Sequence, residues 1–164
     1  MAGLRSPGAE PAMRSFGLSL PMALLRAREN AMRSFRPMLA EHDLTEQQWR
    51  VLRALTAADE PVEVSALADQ TSLHAPSVSR ILVKLESRSL ISRQAVSHDQ
   101  RRSAISLTEV GRAVVGTIAP DSEQIYNRIE KEFGSERLGN LLVELRDLAE
   151  LQIDNPRSSE REAS

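Results

Sequence analysis

Residues 97–111 read SHDQRRSAISLTEVG. Two adjacent arginines, Arg101 and Arg102, follow an aspartate in a loop-like stretch that runs at once into an alternating strand and then a helix start. Upstream, LISRQAVS (90–97) is a second short strand-like segment, so HDQRR (98–102) is the tip of a hairpin. A charged tip on so short a hairpin is either a solvated turn or a structure that reaches for phosphates.

The stretch preceding the hairpin decides between them. VSALADQTSLHAPSVSRILVKLESRSL (64–90) predicts a short helix over about 64–70, a tight polar turn at Thr71 and Ser72, and a longer helix over about 75–89. Pro76 belongs in the first turn of the second helix, where a missing N–H costs nothing. A helix–turn–helix needs a small residue where its helices touch, a tight turn, and an apolar residue locking the second helix. Ala68, Ser72 and Val78 stand at those positions, with Ser72 where glycine is common, and Ile81, Leu82 and Leu85 hold the second helix on the core. The opposite face offers His74, Pro76, Ser77, Ser79, Arg80 and Lys84, a set able to read base edges and hold phosphates.

A two-stranded hairpin directly after such a helix is the wing of a winged helix. Its tip lies over the neighbouring DNA backbone or minor groove. Arg101 is then placed to enter the narrow, electronegative minor groove, Asp99 to fix its direction, and His98 and Arg102 to add phosphate contacts. Charge supports the same picture. The chain carries a formal net charge of −2, yet residues 80–102 hold six bases against two acids (+4), and residues 119–164 hold six against eleven (−5). One face suits a polyanion and another suits something else.

Further out, LSLPMALLRARENAMRSFRPMLAEHD (18–43) predicts a helix in which Pro37 bends the chain or starts a new turn. LTEQQWRVLRALTAAD (44–59) predicts another, with Thr45 as N-cap, Gln48 completing a capping box, and Trp49, Leu52 and Leu55 as its apolar stripe. EPVEV (60–64) is short and extended. After Thr108 come two more helices, broken near Gly134–Ser135.

At 164 residues the chain is one domain, or one domain with an appended interface, and with aromatics at only 3% its core rests on aliphatic side chains. The absence of cysteine removes disulfides, thiolate-held zinc and thiol catalysis, and suits a reducing, cytoplasmic setting. No apolar run approaches the ~20 residues that span a bilayer, so no membrane partner is expected. The three histidines, His42, His74 and His98, fall in three different elements, and no Ser-His-Asp set, carboxylate pair or glycine-rich phosphate loop is evident. Neither enzyme, metal site nor cofactor is expected.

The wing sequence DQRRSAISLTEVG resembles the signature of the multiple antibiotic resistance regulator (MarR) family of winged-helix transcription factors. That signature is an Asp, any residue, an Arg, then a strand ending Leu-Thr with Gly three residues on. Here these are Asp99, Arg101, Leu107, Thr108 and Gly111. The resemblance runs from Leu18 to Leu151, and the first two helices look most like the homoprotocatechuate-operon regulator (HpaR) branch. It implies a mainly α fold with a small β-wing. Residues 1–17 would be a disordered leader, 18–42 the N-terminal helix of a dimerisation region, 43–110 the DNA-binding domain, 111–153 the C-terminal dimerisation helices, and 154–164 a disordered tail.

It further implies a homodimer on a palindromic operator in double-stranded DNA, with Leu20, Leu24, Leu141, Leu145 and Leu148 at the interface. A repressor of aromatic-acid catabolism genes, released by a phenolic carboxylate, is the expected function. Arg26, Arg28, His42 and Trp49 are the candidate effector contacts. A regulator answering another small molecule or a metal, and a winged helix used for protein–protein contact, are the alternatives.

Overall fold

The computed structural model describes residues 15–96 and 99–152, with the backbone alone for residues 96 and 99–102. Most of the leader, the tip residues Ser97 and His98, and the tail from residue 153 lie outside the described residues. Among the described residues, six α-helices and three strands follow in order: α1 (Leu20–Ala40), α2 (Glu46–Thr56), β1 (Val62–Glu63), α3 (Val64–Thr71), α4 (Ala75–Ser87), β2 (Ile91–Val96), β3 (Asp99–Leu107), α5 (Glu109–Phe133) and α6 (Ser135–Glu150). A single 3-10 turn at Phe16–Leu18 precedes α1 and overlaps the expected leader.

Two compact units divide at Ala119/Pro120, inside α5. The first holds a winged helix. Its core is built from Leu39 of α1, Val51 and Leu52 of α2, Leu67 of α3, and Leu82 and Leu85 of α4, all fully buried. Each such leucine contributes about 1.5–3 kcal/mol on leaving water. With Trp49 the single tryptophan, this core is aliphatic, as the composition requires.

The wing is a hairpin with an addition. β2 pairs antiparallel with β3, Ile91 opposite Leu107 and Arg93 opposite Ile105, and the register shifts between Ala95 and Val96. The EPVEV segment, expected only to be extended, supplies a third strand. β1 pairs with the far edge of β3, Val62 opposite Ile105, giving the order β1-β3-β2. Two residues give no periodicity to read, and the long-range pairing alone makes them a strand.

Helix ends explain much of the local folding. Thr45 caps α2 with a complete capping box: its hydroxyl accepts from Gln48 N at 3.2 Å, and the Gln48 amide oxygen accepts from Thr45 N at 2.9 Å. At the other ends, α1, α3 and α4 terminate alike. Asp43, Ser72 and Ser89 take left-handed backbone (φ 53°, 51° and 56°), and the next residue, a leucine each time, donates its N–H five residues back. These bonds are Leu44 N to Leu39 O (3.0 Å), Leu73 N to Ala68 O (3.1 Å) and Leu90 N to Leu85 O (3.0 Å). Such a turn satisfies orphan carbonyls and is usually closed by glycine. The glycine-like position of Ser72 therefore has a direct cause in its φ.

Pro37 does not end α1, which runs through it to Ala40. Met38 and Leu39 just beyond it are buried, and their packing outweighs the lost hydrogen bond. In the second unit, α6 begins after Gly134, whose φ of 97° turns the chain, and none of its residues is buried.

Candidate nucleic-acid interface

α4 is set at its start by backbone geometry. His74 is its N-cap without a side-chain cap, and Pro76 sits in the first turn. Ser77 N and Val78 N both donate to the His74 carbonyl, at 2.8 and 3.1 Å. Val78, Leu82 and Leu85 face inward and are fully buried, which turns His74, Pro76, Ser79, Arg80 and Lys84 outward, all exposed. Ser77 is half-buried, and Ile81 lies at the rim rather than in the deep core. Ser79 donates its hydroxyl to the Ala75 carbonyl at 3.1 Å, and Arg80 Nε donates to that of Pro76 at 3.4 Å.

Beside this face runs an open cleft of about 310 Å³ lined by Thr45, Gln47, Gln48, Ser77, Arg80, Ile81 and Lys84. It brings the first turn of α2 next to the cationic flank of α4, and no carboxylate lines it. Gln47 is thus a neighbour of Arg80 and Lys84 that periodicity along α2 does not reveal, since it is simply one residue off the apolar stripe.

α4 is anchored at its far end by Arg88, which donates to the carbonyls of Asp43 (2.6 Å) and His42 (3.1 Å). The wing is anchored at its base. Thr108 Oγ1 donates to the Ser89 carbonyl at 2.6 Å and accepts from Gly111 N at 3.0 Å, so one hydroxyl ties the end of α4 to the first turn of α5. Gly111 lies so close to Leu90 that a Cβ would stand 1.9 Å from the Leu90 carbonyl oxygen. The Leu107-Thr108…Gly111 part of the wing sequence is a splice between hairpin and helix. Asp99, Arg101 and Arg102 lie on β3 by backbone, whereas His98 lies outside the described residues.

The candidate effector residues each have partners within the fold. Arg26 stacks over the Phe16 ring (5.4 Å), and Trp49 is buried with the Arg53 guanidinium over its ring (6.0 Å). His42 is half-buried, and its carbonyl serves Arg88. Arg28 belongs to an ionic cluster centred on Glu46, the first residue of α2. It pairs with Glu46 and with Glu29 (2.8 Å). Arg36 reaches Glu46 (3.1 Å) and Glu29 (2.8 Å), and Arg50 reaches Glu46 at 3.5 Å. Arg50 also donates to the Thr71 carbonyl at 2.9 Å, at the end of α3. The cluster therefore links α1 to the helix–turn–helix.

Partial burial pushes the Glu46 carboxyl upward, but the hydrogen bonds and charges of Arg28 and Arg36 outweigh it and hold the group below its ordinary value. Arg36 is raised in turn, chiefly by its hydrogen bond to Glu29. A cleft of about 400 Å³ beside the cluster is lined by Arg36, Leu44, Thr45, Glu46 and Gln47, none of them among the four candidate effector contacts. Cross-helix pairs 10 to 18 residues apart leave no local trace in a sequence.

Of the candidate interface leucines, Leu20, Leu24 and Leu141 are exposed (49%, 38% and 40%), and Leu145 and Leu148 are half-buried. Leu142 and Val143 beside them are exposed as well. Among the described residues there is no group of three or more His, Asp or Glu side chains poised to hold a metal ion, and no helix is long and apolar enough to cross a membrane.

Comparison with known proteins agrees with this geometry. Residues 42–102, from the end of α1 to the wing tip, match the family described as "MarR family". The chain is 40% identical over 123 residues to the homoprotocatechuate degradative operon repressor of Escherichia coli, covering 75% of this chain and 82% of that protein. Among solved structures it is similar to NadR in complex with 4-hydroxyphenylacetate (34% identity, TM-score 0.75, 85% of this chain and 99% of that one). It is also similar to the transcriptional repressor CouR bound to a 23-mer DNA duplex (26% identity, TM-score 0.74, 86% and 99%). These relatives are regulators, not enzymes. The chain belongs to the MarR family of transcriptional regulators.

Proposed function

We propose that this chain is a homodimeric repressor that reads a palindromic operator, controls aromatic-acid catabolism genes of the homoprotocatechuate kind, and is released by a phenolic carboxylate. The observation that carries the DNA-reading role is the outer face of α4. His74, Pro76, Ser79, Arg80 and Lys84 stand exposed on a helix whose other face is locked into the core, beside a cleft free of carboxylates. Such a helix in the major groove contacts base edges from its outer face, beginning with its N-terminal residues. Arg101 of the wing enters the minor groove, oriented by Asp99, and His98 and Arg102 hold phosphate.

Specific binding by so small a module needs two half-sites. The exposed leucines of α1 and the exposed Leu141, Leu142 and Val143 of α6 supply apolar surface for a second copy, with Leu20, Leu24, Leu141, Leu145 and Leu148 in that interface. The effector reading rests on the kinship with the homoprotocatechuate repressor and with NadR, a protein crystallised with 4-hydroxyphenylacetate. Arg26, Arg28, His42 and Trp49 are the proposed contacts. The cluster around Glu46 gives a carboxylate a route to the DNA-binding element, because capture of Arg28 would disturb Glu46 and, through Arg50, the end of α3.

Release by a ligand requires that it bind the DNA-incompetent form more tightly, and DNA must weaken the ligand by the same factor. Selection of bound duplexes from random DNA, followed by titration of the complex with 3,4-dihydroxyphenylacetate, tests the proposal. A palindromic consensus released by millimolar or lower acid supports it. A consensus without dyad symmetry refutes the dimeric reading, and a complex indifferent to the acid refutes the effector.

A further inference from the structure

Around an α-helix, successive residues step by about 100°. On α4 the buried Val78, Leu82 and Leu85 mark the inner side, and Pro76, Arg80, Val83 and Ser87 fall on the opposite side within an arc of about 60°. All four are exposed. Three of them are what a solvated or DNA-facing surface ordinarily carries. Val83 is not: it is 61% exposed and is the one large apolar side chain on α4 left in solvent. A β-branched residue there gains nothing from burial and lowers helix propensity slightly.

The charges divide this face. Arg80 and Lys84 lie on the flank bordered by Thr45 and Gln47 of α2, and line the cleft there. The other flank, with Ser79, Pro76 and Val83, carries no cation; its one charge is Glu86 near the C-terminal end, which pairs with Arg93 of β2 at 3.6 Å. A helix docked in the major groove turns its cationic flank to a phosphate wall and the cation-free surface around Pro76 and Val83 to the floor, where base edges lie. Val83 is three residues beyond Arg80, about 4.5 Å along the axis and therefore close to one base step away. The apolar feature that the major-groove floor offers is the thymine C5-methyl group.

We propose that Val83 reads a thymine methyl in each half-site, next to the base step contacted by Arg80, and so is a specificity-determining residue. The inference rests on the DNA-reading role of α4 given above. It gives the half-site a chemical feature, a thymine recognised by its methyl rather than by its hydrogen-bonding edge.

Uracil pairs as thymine does and lacks only the methyl, so it is the direct probe. The full-length protein selects its tightest duplex from random DNA. Each symmetry-related pair of thymines is then replaced by uracil, and binding of wild type, Val83→Ala and Arg80→Ala is followed by fluorescence anisotropy. Loss of one buried methyl corresponds to about fourfold in affinity. One thymine pair should therefore cost wild type about fourfold per half-site on conversion to uracil. Val83→Ala should bind the thymine duplex more weakly and show no further loss on uracil. Because Val83 is exposed, the variant should melt no lower than wild type.

A consensus without thymine in the half-site, wild-type indifference to every replacement, or a Val83→Ala protein that keeps the full uracil penalty overturns the inference. Arg80→Ala separates the two levels. If it binds as tightly as wild type, α4 is not the reading element and both readings fall. If it loses affinity while Val83→Ala keeps the uracil penalty, the methyl contact alone falls.

Discussion

Replacing Gly111 by alanine should cost this protein a large share of its stability. The added Cβ would stand 1.9 Å from the Leu90 carbonyl oxygen, 2.9 Å from its carbon and 3.1 Å from Leu107 Cδ2. Two of these obstacles are backbone, so no rotamer relieves them, and the first turn of α5 must retreat by more than about 1 Å to reach ordinary contact. Overpacking of this kind costs about 1–3 kcal/mol. The retreat also pulls on the bonds that join the elements: Thr108 N to Leu90 O (3.2 Å), Thr108 Oγ1 to Ser89 O (2.6 Å) and Gly111 N to Thr108 Oγ1 (3.0 Å). Each lost bond adds about 1 kcal/mol, giving about 4 kcal/mol if two give way. At a urea slope near 2 kcal/mol/M the midpoint falls by about 2 M. Gly116, on the same helix, has nothing within 4 Å of the Cβ position, and its conversion to alanine should stabilise by about 0.5–1 kcal/mol. Urea titration at fixed protein concentration, followed through the single buried Trp49, reads both variants. A Gly111→Ala protein within about 1 kcal/mol of wild type would refute the splice between wing and helix.

Ser72 holds left-handed backbone at φ 51°, and Ser72→Gly should raise stability by up to about 1 kcal/mol without altering DNA affinity; a lower melting midpoint would contradict the turn assignment. Glu46, held below its ordinary value in the fold, contributes stability that is complete above its unfolded value and is lost as pH falls through the folded one. Glu46→Gln should therefore cost about 1 kcal/mol at neutral pH and converge with wild type in acid, so a constant difference across acid urea titrations would count against the cluster. Leu141→Glu, placing a charge on the unburied face of α6, should shift the protein from dimer to monomer in sedimentation at micromolar concentration. An unchanged dimer would remove Leu141 from the interface.

The features legible in the sequence were those with short-range causes. The apolar period of α2, the Thr45 and Gln48 pair, the 64–90 helix pair and the break at Gly134 all follow from residues within one or two turns of one another. The outer face of α4 was legible for the same reason, because an inner stripe fixes an outer one. β1 escaped because two residues carry no period, and its strand character comes from Ile105, more than 40 positions away. The left-handed helix ends at Asp43 and Ser89 hid behind residues that tolerate that conformation less readily than glycine, whereas the one at Ser72 showed through its place in the helix–turn–helix. The cluster around Glu46 and the Arg88 clamp join residues that only tertiary packing brings together. Trp49, on the apolar stripe of α2, is buried as its spacing predicts.

Sequence-selective DNA binding through α4 and the wing is tested most directly by anisotropy on duplexes tiling the DNA beside the protein's own gene. The series is run at several salt concentrations with Arg80→Ala and Arg101→Ala alongside wild type. Wild type should pick out one duplex with a steep salt dependence. A cation lost from a phosphate contact in both half-sites should lower the log–log slope by about 2, and loss of a base contact should erode preference for that duplex. Binding that is blind to sequence, or that both variants retain in full, would contradict the account.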